Sequence, residues 1–125
     1  MDFAKLSVKD ETFCHLRHPA TDEFLYTEEK EPVGFNVAGI DSDKYRKVQA
    51  DILRGENNFK KKITPEKVEH MNLKQVIGCV IEPVNIVENG SKIKDDFESL
   101  KSFFEKYRWV YEQLLEFIND RTNFL

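Results

Sequence analysis

The clearest alternation of apolar and polar positions lies in Val33-Gly34-Phe35-Asn36-Val37-Ala38-Gly39. Val33, Phe35 and Val37 fall on one face there, and small or polar residues on the other. A period of two is the mark of a half-buried strand. Thr12–His18 has β-formers spaced by polar residues, with less regular alternation, and reads as an earlier strand. Pro19-Ala20-Thr21-Asp22-Glu23 is turn chemistry, because Pro presets φ and Asp or Thr can bond nearby backbone. Phe24–Thr27 is a further short strand candidate, followed by polar Glu28-Glu29-Lys30-Glu31. The pattern predicts an antiparallel hairpin or meander over residues 11–40, preceded by an arm at 1–10 with no clear period.

The spacing then becomes helical. Asp41 or Ser42 can cap, Asp43 adds negative charge to the first turn, and Tyr45, Val48 and Ile52 form a stripe, with Leu53 near it. Gly55 and Asn57-Asn58 predict a stop. Thr64-Pro65-Glu66 combines a cap, a first-position Pro and a first-turn acid. From it a second helix is predicted through Val68, Met71, Leu73, Val76, Ile77 and Val80, ending before Pro83. The final residues of that helix are apolar on every side, which suits burial between other elements or a subunit contact. Val84–Val87 reads as extended, and Glu88-Asn89-Gly90-Ser91 as a turn. Asp95 with Glu98 resembles a capping box opening a helix that carries Phe97, Leu100, Phe104 and Tyr107 on one face. A last helix carries Val110, Tyr111, Leu114, Leu115, Phe117 and Ile118, either continuous with the preceding one or broken near Tyr107-Arg108-Trp109. The predicted fold class is α+β, mainly α: one domain over 1–125, a small N-terminal antiparallel sheet, then a bundle of about four helices at 41–125. More than half of the chain is expected to be helical.

Composition narrows the function. With 125 residues, 40% hydrophobic and 34% charged, the chain is long enough for one core and too rich in aromatics for wholesale disorder. The net charge of −4 disfavours a general nucleic-acid or anionic-membrane binder. The longest apolar run, Val76–Ile81, is far short of a bilayer span. The start, Met1-Asp2-Phe3-Ala4-Lys5, lacks the layout of a signal peptide. Cys14 and Cys79 are therefore expected to be buried, reduced thiols in a cytosolic protein.

Chemical motifs are sparse. Cys14, His15 and His18 are close in sequence, but there is no second spaced ligand pair of the kind structural zinc uses. They read as ordinary strand residues, and no nucleophile signature surrounds either cysteine. The five glycines are dispersed and form no phosphate-binding loop. Asp41, Asp43, Asp95 and Asp96 are accounted for by capping and the helix dipole. Lys60-Lys61-Lys62 beside Phe59 could touch phosphate, although Glu56 and Glu66 flank the run and a solvated or protein-docking stretch explains it better. No cofactor or metal is implied, and no enzymatic activity is expected. The last third is crowded with rings: Phe97, Phe103, Phe104, Tyr107, Trp109, Tyr111, Phe117 and Phe124. One helix face cannot hold them all, so the surplus either meets another chain or touches solvent.

Four stretches carry a family resemblance. His18-Pro19-Ala20-Thr21-Asp22-Glu23, followed by Phe35-Asn36-Val37-Ala38-Gly39-Ile40-Asp41-Ser42-Asp43-Lys44-Tyr45-Arg46, resembles the front of tail assembly chaperones of long-tailed, siphovirus-type bacteriophages and prophages. Glu88-Asn89-Gly90 before an aromatic helix, and the ending Phe117–Leu125, resemble later parts of the same pattern in the same order. The family often carries a Trp near the end of the second helix region, where this chain reads Cys79-Val80-Ile81-Glu82-Pro83-Val84.

The resemblance implies a non-enzymatic protein of the host bacterial cytoplasm, absent from the mature virion. It would sheathe the tape measure protein, recruit tail tube subunits and form homo-oligomers. Such proteins are often made in short and frameshifted long forms, and this chain would be the short one. Candidate partner-binding residues are Asp41, Tyr45 and Arg46 at the strand–helix junction, and Trp109, Tyr111, Phe117, Arg121, Phe124 and Leu125 toward the end. The alternatives are a structural tail or connector protein retained in the particle, and a small nucleic-acid-binding regulator acting through Lys60–Lys62.

Overall fold

A computed structural model describes residues 1–55 and 64–125; the Lys60–Lys62 run lies outside the described residues. Half of the described residues are helical and a fifth are strand, with the strands in two small antiparallel sheets. The main sheet has the order β1-β2-β3: β1 is Glu11–His15, β2 is Gly34–Ala38 and β3 is Val80–Val84. β4 (Val87–Glu88) and β5 (Ser91–Lys92) form a separate hairpin. The helices are α1 (Asp43–Gly55), α2 (Pro65–Cys79), α3 (Phe97–Lys106) and α4 (Arg108–Asn119), and a 3-10 turn, Arg121–Phe124, closes the chain.

The predicted β1–β2 hairpin is present, with Cys14 opposite Phe35 and Thr12 opposite Val37. In the segment between the strands, Arg17–Phe24 and Tyr26–Pro32 are isolated bridges, so Phe24–Thr27 is not a full strand. The His18 ring accounts for the turn: its Nδ1 accepts from the Ala20 and Thr21 amides at 3.1 and 3.3 Å.

Three expectations are corrected. The second helix stops at Cys79, not just before Pro83, and Val80–Val84 becomes β3. The β-branched run Val80-Ile81 has an open edge of β2 to pair with, which a local helical pattern does not reveal. The helical half therefore supplies a strand to the sheet, and the sheet is not confined to the N-terminal region. Asp96 rather than Asp95 caps α3, with its carboxylate accepting from the Ser99 amide at 3.1 Å. At α1 the capping role falls to Ser42, whose Oγ accepts from the Tyr45 amide at 3.0 Å and donates to the Gly39 carbonyl at 2.7 Å. Other local signals hold. Thr64 caps α2 ahead of Pro65, Asn89-Gly90 forms the β4–β5 turn with φ of 52° and 83°, and α3 and α4 part at Tyr107.

One face of the main sheet presents Cys14, Phe35 and Val37 to Leu100, Phe104, Val110, Leu114 and Ile118 of α3 and α4, with the end of α2 beside them. The α1 helix packs along α2, where Gly78 lets Val48 approach.

Candidate interaction site

The two stretches singled out in the sequence, the strand–helix junction and the chain end, come together as one structure. Asp41 follows β2, and Arg121 opens the final 3-10 turn. The guanidinium grips the carboxylate with two bonds, Nε to Oδ2 at 2.5 Å and Nη2 to Oδ1 at 3.0 Å. This hydrogen-bonded guanidinium holds the Asp41 carboxyl below its usual pKa and raises that of Arg121 in turn. Arg46 Nη2 donates to the Asp41 carbonyl at 3.3 Å, and the Tyr45 hydroxyl donates to Asn119 Oδ1 at 3.3 Å. The backbone seals the same seam, because the Ile40 amide donates to the Ile118 carbonyl at 3.2 Å.

Beneath the ion pair, Phe124 is fully buried and meets Phe117 edge-on at 5.6 Å. Its ring lies over Gly39, where any Cβ would come within 2.8 Å of ring carbons. The cluster is therefore a latch that fastens the C-terminus to the strand–helix junction. Its side chains are largely occupied by one another, and Leu125 alone of the terminal pair projects outward.

The remaining candidates sit elsewhere. Tyr111 is buried, with Arg108 at 5.8 Å from its ring, and burial raises the pKa of its hydroxyl. Trp109 is half-buried at an open groove of about 740 Å³. The groove runs between the β1–β2 connection, the β3–β4 turn and the α3–α4 junction. Leu25, Val33 and Ile86 give it apolar walls, Phe103, Tyr107 and Trp109 line the helical side, and Glu28, Glu29 and Glu88 supply carboxylates.

The rings of the last third thus divide. Phe104, Tyr111 and Phe124 are core, Phe103, Tyr107, Trp109 and Phe117 are partly covered, and Phe97 is exposed. A single subunit therefore hides much of the excess, and the half-covered remainder is concentrated along this groove. Lys106 Nζ stands 3.2 Å from Glu88 Oε2, as an ion pair rather than an aligned hydrogen bond. The neighbouring Tyr107 hydroxyl and Lys106 ammonium hold the Glu88 carboxyl below its usual pKa.

Tyr26 and Val87 are more than half exposed at the groove and were not legible as site residues, since each lies in a turn-rich stretch far from Trp109 in sequence.

Metal ligands do not assemble: among the described residues no group of three or more His, Cys, Asp or Glu is placed to hold an ion. Cys14 and Cys79 are both buried free thiols. Burial pushes the Cys14 pKa up to about 12 and raises that of Cys79. His15 is engaged, donating from Nε2 to the Leu25 carbonyl at 2.7 Å. Among the described residues no helix is long and apolar enough to cross a membrane. No family model, curated protein or solved structure matches the chain.

Proposed function

We propose that this protein is a tail assembly chaperone of long-tailed bacteriophages or prophages, a non-enzymatic protein that binds the tape measure protein and recruits tail tube subunits. The observation that supports the reading is the groove at Trp109. Phe103, Tyr107 and Trp109, three of the rings left over from the core, line it, and its apolar walls suit the apolar face of an amphipathic client helix. Covering a large apolar side chain contributes about 1.5–3 kcal/mol before the costs of association are subtracted. Glu28 and Glu29 add negative charge where basic residues flanking that face would lie. The acidic balance of the chain keeps such a complex in solution. In this reading the protein acts in the host bacterial cytoplasm, as a homo-oligomer, and is left behind when the virion matures.

The test is co-expression with the tape measure protein encoded beside it, followed by solubility and pull-down measurements. Wild-type protein keeps the client soluble and co-purifies with it. Two groove variants, Trp109→Ser and the exposed Val87→Asn, lose at least half of the recovered client while keeping the wild-type circular dichroism spectrum. A client that is equally insoluble with and without the chain removes the assignment. Finding the chain in purified tails assigns it to the particle instead.

A further inference from the structure

The backbone hydrogen bonds of β1 have a direction that the sheet leaves unused. The Leu16 amide donates to the Val33 carbonyl at 3.0 Å, and the Asp10 carbonyl accepts from the Gly39 amide at 3.1 Å. Even-numbered peptides of β1 therefore face β2. By the alternation of an antiparallel ladder, the N–H and C=O groups of Glu11, Phe13 and His15 point away, along the free edge of the sheet.

Both ends of this edge are occupied. The Lys9 amide donates to the Phe124 carbonyl at 2.6 Å. The Gln113 side-chain amide clamps Arg17 from both sides, accepting from its N–H at 2.9 Å and donating to its C=O at 2.8 Å. Between these brackets lies an open window spanning about 13 Å, four residue steps at about 3.3 Å each. The opposite edge of the sheet is different, because Pro83 in β3 blunts it.

The surroundings of the window state what fits it. On one side a cleft of about 350 Å³ separates β1 from α4 and the final 3-10 turn, with Phe117 in its wall; the carboxylates of Glu116 and Asp120 line it together with Arg17, whose guanidinium is paired with Asp22 at 3.4 Å. On the other face, Phe24 is more than half exposed and stacks on His15 at 4.4 Å, and Phe13 stands 5.7 Å from His15. We infer that the β1 edge binds an extended peptide, alternately apolar and basic, as a fourth strand of the sheet. Its apolar side chains lie on Phe13, His15 and Phe24, and its basic ones enter the cleft toward Glu116 and Asp120. Main-chain bonds supply attachment, and the alternating faces supply selectivity. A second copy of this chain does not suit the window. Antiparallel pairing about Phe13 would bring Arg17 and its Gln113 clamp against Lys9 and the Phe124 carbonyl, where the edge is already occupied and the charges are alike. The inference uses different residues from the Trp109 groove and stands or falls separately from it.

The probe is the peptide acetyl-Val-Lys-Val-Lys-Val-amide, titrated into the full chain and followed by NMR and amide hydrogen exchange. Seated with Lys toward the cleft, its three Val amides face β1 and its Lys amides face solvent. N-methylation of the central Val is expected to weaken binding at least tenfold, whereas N-methylation of both Lys leaves it unchanged. Bound peptide slows exchange at Glu11, Phe13 and His15, and leaves Thr12 and Cys14, already bonded to β2, as they were. Replacing both peptide Lys by Glu abolishes binding. The Phe13→Pro chain removes an N–H that the hairpin does not use, so it keeps its fold and loses the peptide. Equal weakening by the two N-methylations overturns the inference, as does exchange at Glu11, Phe13 and His15 that is unmoved at saturation, or no binding at all.

Discussion

Asp41 illustrates how a residue suited to one task takes another. It stands one place before the cap of α1, yet its carboxylate is committed to Arg121, eighty positions later. Because the folded-state pKa of Asp41 is lowered, the pair contributes stability above the unfolded value of about 3.9, and that contribution is lost as pH falls through the folded pKa. The Arg121 side chain is largely solvated and that of Asp41 about a third exposed, so the effect is small, and it appears first as local release of the chain end. Acidification from about pH 5 to about pH 3 is expected to reduce the protection of the Ile40 amide, measured against the intrinsic exchange rate at each pH, more in the wild type than in Asp41→Asn, which lacks the charge from the start. The cysteines give a second prediction at this scale. The Cys14 thiol, buried on the core face of β1 with its pKa pushed up to about 12, holds almost no thiolate at neutral pH. Neither Cys14 nor Cys79 is expected to react with a maleimide or an aromatic disulfide reagent in the native protein, and both react in denaturant.

Between elements, two glycines decide how closely things approach. Gly78 lies inside α2, where helix propensity alone would reward Ala by about 1 kcal/mol. A Cβ there would meet both methyls of Val48 at 2.6 Å, so α1 would have to back away from α2. Gly78→Ala is therefore expected to destabilise, by about 1–3 kcal/mol in chemical denaturation. Pairing it with Val48→Ala should recover part of the loss, and a stabilised single variant would show that the two helices do not meet this way. Gly39→Ala presses on the Phe124 ring in the same manner and should loosen the terminal latch. The break between α3 and α4 has another origin. No Pro or Gly sits at Tyr107; its φ of −111° and ψ of 67° accompany packing of its ring on Phe103 at 4.8 Å.

Across the whole molecule, the last five residues hold together segments from both ends of the chain. Phe124 touches Gly39 and Phe117, its carbonyl takes the Lys9 amide, and Arg121 holds Asp41. Deleting residues 121–125 removes a fully buried ring and is expected to cost about 3–5 kcal/mol, the range for truncating a core Phe. The single variant Arg121→Ala should cost far less than that deletion, because its guanidinium is largely solvated and screened. Urea midpoints of the two proteins distinguish a latch made mainly of packing from one made mainly of charge.

Much of this architecture is local in origin. Alternation at Val33–Gly39, the Thr64-Pro65 start, the Asn89-Gly90 turn and the helical stripe through Leu100 and Phe104 depend on neighbours within a few positions, so they are legible before folding. The candidate site was legible in part. Asp41, Tyr45, Arg46 and the chain end were identifiable as two separate stretches, and nothing local says that they touch. Trp109 was visible as a surplus ring, whereas Tyr26 and Val87 were not, because a groove assembled from three distant segments leaves no periodic mark. By itself the sequence determined the turns, the amphipathic faces and, to within a residue, the caps, since backbone sterics and short-range hydrogen bonding set these. The tertiary structure alone decided that Val80–Val84 is a strand, that Phe124 is core, that Asp41 meets Arg121 and that the β1 edge stays open. Each of those depends on which distant partner arrives to fill a hydrogen bond or cover a ring.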